Sequence, residues 1–211
     1  MSAFVYATDL HGNRDSYERL FGLEAEALVL GGDLLPHTKG TPVHGRAVPF
    51  LDGLWIAGCA HVPVTPFGMK DHDRFDGEGW APRRTPGRIL FSTASGVVNA
   101  SVAELRSRGT IEGDLERLAA QSDPARTVYV THSPPWGTLL DRLYDGTPVG
   151  SRAIRSFIER RGPPLTLHGH VHESPGVDRI GPTVCVNPGD SLVALRAVRV
   201  DLADRSVTPL G

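Results

Sequence analysis

Six residues of types that bind metal ions occur in four short motifs along the chain. The motifs are Asp-Leu-His, Gly-Gly-Asp, Thr-His-Ser-Pro-Pro and Gly-His-Val-His, and their polar residues are Asp9, His11, Asp33, His132, His170 and His172. Buried without partners, each such group costs free energy, so six of them are not explained as ordinary core residues. Two carboxylates and four imidazoles instead suit two divalent ions about 3.5–4 Å apart, with one carboxylate bridging them.

The spacing within two of the motifs has a geometric meaning. Asp9 and His11, like His170 and His172, are separated by one residue. Because residues two apart on an extended segment point to the same side, we expect each pair to bind one ion from the same side. Mixed oxygen and nitrogen ligands favour two divalent transition-metal ions over Ca or Mg alone. Mn is our first expectation, with Fe, Zn, Ni or Co as alternatives.

A pair of such ions implies a particular chemistry. Two cations lower the pKa of a water that bridges them, which yields a hydroxide nucleophile near neutral pH. They also neutralise the oxygens of a phosphoryl group, so in-line attack on phosphorus is the natural reaction.

The motifs follow segments that have the pattern of buried strands. Residues 3–9 are a short apolar run rich in β-formers, residues 13–23 are a predicted helix, and residues 26–33 are a second apolar run. This β-α-β order puts Asp9 and Asp33 at the carboxyl ends of two strands. Ligand sites in α/β sheets gather at that edge.

The rest of the chain continues in the same way. We predict a hairpin in 46–60 around Asp52-Gly53, helices in 102–121 and 150–162, and strands in 126–135, 164–172, 183–190 and 192–202. Ser151 and Gly162 are the expected ends of the second of these helices. The whole chain, 1–211, is predicted to be one domain with a layered α/β or α+β sandwich fold.

In this order and at strand ends, the four motifs resemble those of the calcineurin-like metallophosphoesterase superfamily, over nearly the whole chain. The segments 172–174 and 187–190 are similar to those of the small prokaryotic phosphoesterases of this group. The resemblance implies a four-layer α/β/β/α sandwich. It also implies hydrolysis of phosphomonoesters or phosphodiesters by a metal-bridging hydroxide at a dinuclear site. The metallo-β-lactamase cluster, His-x-His-x-Asp-His, is absent.

The same resemblance assigns a role to each ligand. The first ion would be held by Asp9, His11 and His172, the second by His132 and His170, with Asp33 bridging the two. Asp33 and His132 would have the catalytic roles, through the metal-bound hydroxide.

One motif of the family is missing. Between the bridging Asp and the later His, the family has Gly-Asn-His, whose Asn binds the second metal. Its His, where present, can protonate the leaving group. Only 19 residues separate Asp33 from Gly53, which is too few for a helix and a strand because a crossover alone takes about a dozen residues. This βα segment could be lost in nature, removed from the chain or missing from the sequence as written. We favour the last two explanations because the other ligands are intact.

Other histidines could stand in for the missing motif. His37 and His61 are the candidate proton donors, and His44 and His72 lie in loops; an exposed loop histidine is the alternative for each. Asn13 is interpreted as a helix cap and not as a ligand. His168 is interpreted as a packed neighbour of the His170 motif.

Arginines and one tryptophan are candidates for substrate contacts. Arg84 and Arg152 could hold the substrate phosphate, because a planar guanidinium fits phosphate oxygens. Arg83 and Arg88 belong to the same basic stretch as Arg84, and solvated surface is the alternative for all four. Trp136, directly after His-Ser-Pro-Pro, is either pocket wall or core.

Composition argues against several classes of protein. The chain is 40% hydrophobic with a formal charge of −2, and it lacks the basic excess of nucleic-acid or membrane-surface binders. No apolar run approaches the roughly 20 residues of a membrane-spanning helix, and we do not expect the N-terminal residues to act as a signal peptide. Cys59 and Cys185 lack paired spacing, which fits a reducing cytoplasm. We expect a cytoplasmic enzyme with a small phosphorylated substrate.

Two alternatives stay open. The missing motif favours a metal-binding or scaffold protein of the same superfamily that has lost catalysis; one metal per chain without turnover would identify it. The basic stretch 81–88 motivates a nuclease, against which the overall acidic charge argues.

Overall fold

The computed structural model describes residues 2–34, 40–65, 72–80, 89–93 and 96–210. The described strands are β1 (Ala3–Ala7), β2 (Leu28–Leu30), β3 (Ala47–Pro49), β4 (Trp55–Cys59), β5 (Val62–Pro63), β6 (Asp73–Arg74), β7 (Ile89–Thr93), β8 (Gly96–Ala100), β9 (Thr127–Thr131), β10 (Leu165–Leu167), β11 (Gly176–Ile180), β12 (Thr183–Asn187), β13 (Ala197–Asp201) and β14 (Val207–Leu210). The described α-helices are α1 (Arg14–Phe21), α2 (Val102–Ser107), α3 (Ile111–Ala119) and α4 (Arg152–Arg161), with 3-10 turns at Leu51–Gly53 and Pro124–Arg126.

Two sheets form the centre of the molecule. The four-stranded sheet has the order β14-β13-β1-β2, with β1 and β2 parallel. The six-stranded sheet has the order β11-β12-β10-β9-β4-β3, with β12, β10, β9 and β4 parallel. Two small ribbons, β5-β6 and β7-β8, lie outside these sheets. The parallel strands of each main sheet therefore end at one common edge.

The core between the sheets follows from the alternation of side chains along each strand. Alternate residues of β1 face the other sheet, as do alternate residues of β9, β10, β12 and β13; they are Phe4, Tyr6, Val128, Val130, Leu165, Leu167, Val184, Val186, Val198 and Val200. Burial of each such aliphatic or aromatic side chain contributes about 1.5–3 kcal/mol. This inner layer holds the two sheets face to face.

Helices cover the two outer faces. On the four-stranded sheet, Val5 and Ala7 pack with Tyr17 and Leu20 of α1. On the six-stranded sheet, Tyr129 packs in a cluster with α3 and α4, and its ring lies 5.0 Å from that of Phe157. The expected α/β/β/α sandwich is thus confirmed.

Several local predictions are confirmed. The hairpin of β3 and β4 turns at Asp52 and Gly53. Asn13 caps α1, since its Oδ1 accepts from the N–H of Ser16. Ser151 caps α4 at one end, and Gly162 ends it at φ 56°.

The single helix predicted for 102–121 is wrong, because the segment forms α2 and α3. Ser101 and Glu104 make a capping box at the start of α2. Gly109 then adopts a φ of +90°, which favours glycine, and Thr110 caps α3. The helical periodicity of the sequence continues across the turn at which the helix is interrupted.

The connection after β2 is short. Residues 40–46 lead directly into β3, at the edge of the six-stranded sheet, and this described stretch contains no helix. The full sequence is continuous from Asp33 to Gly53. The explanation that residues are missing from the sequence as written is therefore wrong.

Among the described residues, no helix is both long enough and apolar enough to cross a membrane.

Candidate metal centre

Four strand exits bring the predicted ligands to one edge of the sandwich. The parallel pairing of Ala7 with Leu30 places the exits of β1 and β2 side by side. The pairing of Leu167 with Val130 does the same for β10 and β9 in the other sheet. Carboxylates thus come from one sheet and most of the imidazoles from the other, and they meet across the inner core.

The first group of ligands consists of Asp9, His11 and His172. Asp9 is completely buried, and its Oδ1 lies 3.2 Å from Nε2 of His172 and 3.9 Å from Nε2 of His11. The two imidazole rings meet edge-on, with centroids 5.3 Å apart. The three predicted ligands of the first ion are therefore brought together.

The second group consists of Asp9, Asp33 and His132. Nε2 of His132 lies 3.7 Å from Oδ2 of Asp33 and 3.9 Å from Oδ1 of Asp9. The ring of His170 lies beside that of His132, with centroids 5.2 Å apart. Oδ2 of Asp33 is also 3.8 Å from Nε2 of His11, so this carboxylate faces a ligand of each group.

The donor set fits divalent ions. Most of these Nε2–Oδ distances, 3.7–3.9 Å, exceed hydrogen-bond length. Atoms that share one cation at about 2.1 Å lie roughly 3–3.5 Å apart, so small shifts would let them bind a common ion. Nδ1 of His132 is buried and has no hydrogen-bond partner among the described residues. The buried carboxylate of Asp9 and the more exposed carboxylate of Asp33 thus face His11 and His132 beyond hydrogen-bonding range, which leaves room for a cation between them.

The backbone at the site differs from the prediction. Asp9, His11 and His170 have φ values of 51°, 45° and 67°, in the left-handed region and not in the extended one. The extended backbone expected for each pair is therefore wrong, although Asp9 and His11 still lie in one group of ligands. His170 instead lies beside His132, while His172 contacts Asp9.

The carboxylates and imidazoles of the site shift one another's pKa values. Burial alone would raise the pKa of Asp9, but the hydrogen bond with His172, the nearby His132 and the hydroxyl of Thr8 hold that pKa below its ordinary value. For Asp33, whose side chain is partly exposed, partial burial raises the pKa, but His132, His11 and His170 together more than offset it, so the pKa falls well below the usual range. In return, Asp9 raises the pKa of His172. Both carboxylates are anionic at neutral pH, as metal ligands must be.

Sequence reasoning missed the support that Thr8 gives to Asp9, whereas Asn187 lies in the 187–190 segment that the resemblance had singled out. Oγ1 of Thr8 donates to Oδ2 of Asp9 at 2.7 Å. Asn187 donates from Nδ2 to the carbonyls of Val171 and Ser174, at 2.9 and 3.2 Å, which braces the loop carrying His170 and His172. Thr8 carries no signal beyond its place before Asp9.

His168 is a packed residue, as expected. It is fully buried, with Nδ1 2.9 Å from Oγ1 of Thr131 and Nε2 2.8 Å from Oγ1 of Thr166. Burial lowers the pKa of His168 to about 4, so the ring is neutral. It supports the core of the six-stranded sheet.

Of the remaining candidates, those that the structure describes lie outside the two groups of ligands around Asp9. The predictions for His37, Arg83, Arg84 and Arg88 fall outside the described residues. His61 lies after β4 with Nδ1 2.8 Å from Oδ2 of Asp114, and the rings of His44 and His72 lie around it. Arg152, at the start of α4, lies over the ring of Trp136 at 3.7 Å and near Trp80 at 5.1 Å.

Comparison with known proteins places this chain among relatives. No protein-family model matches the sequence. The chain is 41% identical over 191 residues to the uncharacterized protein MJ1162 of Methanocaldococcus jannaschii, and the match covers 87% of this chain and 86% of that protein.

The fold of one solved structure is similar to that of this chain, and a second structure matches more weakly. The protein TT1561 of Thermus thermophilus matches with a TM-score of 0.54 and 14% identity, over 100% of this chain and 98% of its own. A conserved uncharacterized protein of Streptococcus pneumoniae TIGR4, a predicted phosphoesterase, matches with a TM-score of 0.32 and 15% identity, over 95% of this chain and 83% of its own. The chain belongs to the same family as the M. jannaschii protein, and its four ligand motifs lie at one edge of an α/β/β/α sandwich.

Proposed function

We propose that this protein is a metal-dependent phosphoesterase with a dinuclear centre, which hydrolyses a phosphomonoester or a phosphodiester. One observation carries the proposal. Two carboxylates and the imidazoles of His11, His132 and His172 converge in two groups that share Asp9, and most of their separations are too long for hydrogen bonds.

Each ion has its own set of ligands. Asp9, His11 and His172 would hold one, and His132 and His170 would hold the other. The position of Asp33 between His11 and His132 supports its role as the bridge. When bound, two such ions supply charge stabilisation of phosphate oxygens and lower the pKa of a water between them. We favour Mn, with Fe, Zn, Ni and Co as alternatives.

The chain's own residues would orient these ligands. Thr8 and the backbone N–H of His170 both donate to the Asp9 carboxylate, which restricts its rotation. Arg152 is proposed to contact the substrate phosphate, and its guanidinium is held against the ring of Trp136. Arg84 has the same proposed role. A small phosphorylated molecule is the substrate class that such a site would take.

The proton donor for the leaving group stays a prediction. His61 is one candidate, and its Nδ1 is engaged by Asp114. His37 is the other. The sequence has no asparagine between Asp33 and Asn99 to replace the Asn of the missing motif.

Hydrolysis assays test the proposal. Purified protein with Mn²⁺ should hydrolyse p-nitrophenyl phosphate or bis-p-nitrophenyl phosphate, and Asp9→Asn should abolish turnover. Cys185→Ser is the matched control and should retain turnover. Cys185 is buried on the outer face of β12, which packs against the helices. Absence of turnover on both substrates, together with no bound transition metal in the purified protein, would refute the function.

The missing Gly-Asn-His motif favours a second candidate, a metal-binding scaffold that has lost catalysis. Metal analysis separates the two functions. One ion per chain without turnover at the Asp9 centre supports the scaffold, whereas two ions with turnover defeat it.

A further inference from the structure

A second cluster of metal-binding side chains lies on the outer face of the six-stranded sheet. Cys59 ends β4 with its side chain buried among the residues that pack against α3 and α4. His61 follows two residues later, and Asp114 lies on α3 and faces both. None of the three belongs to the two groups around Asp9.

Their donor atoms are close enough to share an ion. Sγ of Cys59 lies 3.9 Å from Nδ1 of His61, which lies 2.8 Å from Oδ2 of Asp114, and all three atoms are within 4.8 Å of one another. Ligands of a tetrahedral zinc-type ion lie roughly 3.3–3.6 Å apart. Shifts of about half an ångström or less would therefore make these two separations fit.

The surroundings keep Asp114 in place without using all of its lone pairs. Nη1 of Arg74 donates to Oδ2 at 2.7 Å and to Oδ1 at 2.9 Å, and Arg117 also pairs with Oδ1. A carboxylate offers about four acceptor positions. The two arginines take three of them, which leaves one on Oδ2, facing Nδ1 of His61, for a metal ion. Hydrogen-bonded carboxylates are common among metal ligands because the outer partner fixes their orientation.

Two further histidines surround the cluster but are not needed as ligands. The ring centroids of His44 and His72 lie 4.8 and 6.1 Å from that of His61. Nδ1 of His44 accepts from the N–H of Ala60 at 3.0 Å, so its other nitrogen carries the proton and does not bind a metal in this arrangement.

We propose that Cys59, His61 and Asp114 bind a third divalent transition-metal ion of the zinc or cobalt class, at a site separate from the Asp9 centre. Sulfur, nitrogen and oxygen donors together select such ions over Mg or Ca. Burial raises the pKa of the Cys59 thiol to about 12, so the thiol is protonated without metal and releases its proton to solvent when the ion binds. Three protein ligands leave one position open. His61 would then be a ligand and not a proton donor.

The site is linked to the centre on the other side of the sheet. The carbonyl of Cys59 accepts from the backbone N–H of His132 at 3.0 Å. An ion at Cys59 would thus stabilise the backbone that carries a ligand of the Asp9 centre. The proposal does not rest on phosphoesterase activity.

Cobalt spectroscopy tests the site, because a thiolate bound to Co²⁺ gives an intense near-ultraviolet charge-transfer band that oxygen and nitrogen ligands do not give. Reduced, metal-free protein titrated with Co²⁺ should develop this band. Cys59→Ser should lose it and bind one ion fewer per chain, while the matched control Cys185→Ser should keep it. The double variant Asp9→Asn, His172→Ala should also keep the band, which separates this site from the proposed active centre.

Two outcomes would overturn the proposal: no band in the unsubstituted protein, or a band that survives in Cys59→Ser. If Cys59→Ser does not fold, as judged by circular dichroism, His61→Ala and Asp114→Asn decide the matter with the thiol in place. Each substitution should lower the affinity for Co²⁺, measured from the intensity of the band, by more than about tenfold. Even changes to residues outside the ligand set typically lower metal affinity by that factor. Unchanged affinity in both would again refute the site.

Discussion

Asp9 is the residue on which the centre depends. Its carboxylate is fully buried, yet it faces three imidazoles and accepts from Thr8. A buried anion is stable only when paired or hydrogen-bonded, and the surrounding residues meet that need even before a metal binds. The left-handed backbone at Asp9 and His11 turns both side chains toward the same point.

Asp9→Asn tests this role. The amide keeps the size of the side chain but removes the charge that both groups of ligands share. The affinity for both ions should therefore fall by more than about a hundredfold. Substitution of residues that only support a ligand typically lowers metal affinity by about 10–100-fold. Isothermal titration with Mn²⁺ measures this loss. Asp33→Asn should lower the affinity for both ions as well, since Asp33 is the proposed bridge, and Cys185→Ser is the control that should leave it unchanged. Two ions bound by Asp9→Asn with unchanged affinity would contradict the assignment.

His168 should make the metal-free protein sensitive to acid. Its pKa is lowered to about 4 in the folded state by burial, so the unfolded chain takes up a proton first as pH falls below about 6.5. The stability that this residue contributes is therefore complete above pH 6.5 and is lost on acidification toward pH 4. At about 1.36 kcal/mol per pKa unit, the loss is about 2 kcal/mol by pH 5.

Urea unfolding at pH 7 and pH 5 measures that loss. His168→Asn should show a decrease in unfolding free energy between the two pH values that is smaller than in the unsubstituted protein by about 2 kcal/mol. An equal decrease in both proteins would show that His168 does not titrate in this way.

At the scale of elements, the strand exits approach one another closely enough to require glycine. An added Cβ at Gly32, after β2, would overlap the ring of His132. At Gly169, after β10, it would overlap the carboxylate of Asp9 and the hydroxyl of Thr8. The Gly-Gly-Asp and Gly-His-Val-His motifs thus supply space for the ligands of neighbouring strands as well as ligands of their own.

Alanine at these glycines should displace ligands without unfolding the sandwich. Gly32→Ala and Gly169→Ala are expected to weaken Mn²⁺ binding by about tenfold or more and to destabilise the fold by about 1–3 kcal/mol through overpacking. Gly40→Ala is the matched control, because no atom of the described residues lies within 4 Å of its added Cβ. Metal binding and thermal melts of the three variants give the comparison. Equal metal affinity in all three would disprove the close-approach argument.

At the scale of the whole molecule, the metal centre joins the two sheets. Asp9, His11 and Asp33 follow strands of the four-stranded sheet, and His132, His170 and His172 follow strands of the six-stranded sheet. Bound ions would add cross-links at the open edge of a core that is otherwise held by apolar contacts. Ligands that bind the folded state alone stabilise it by mass action.

Metal removal should therefore lower the melting temperature. At free Mn²⁺ one hundred times the Kd, one ion adds about 2.7 kcal/mol, which corresponds to about 5–10 °C for a chain of this size. Differential scanning calorimetry with Mn²⁺ and with excess EDTA measures the shift. Asp9→Asn should show almost none, and a full shift in that variant would place the stabilising ion elsewhere.

Much of this arrangement was predictable from the chain alone. Local patterns identified β1, α1, the β3-β4 hairpin and the caps of α4, because period, capping residues and turn residues act over a few positions. The break at Gly109 was missed since helical periodicity continues on both sides of it. The expected extended geometry of the His170 pair was wrong because a one-residue spacing does not specify φ.

The sequence by itself determined which ligand types are present, their order and their positions after strands. Only the tertiary structure decided that His172 lies against Asp9 while His170 lies beside His132, and that Gly32 and Gly169 make room for side chains of other strands. It alone also brought Asp114 of α3 to Cys59 and His61. The physical reason is range: motifs and caps form between residues close in sequence, whereas ligand partners are chosen by the packing of two sheets and their helices.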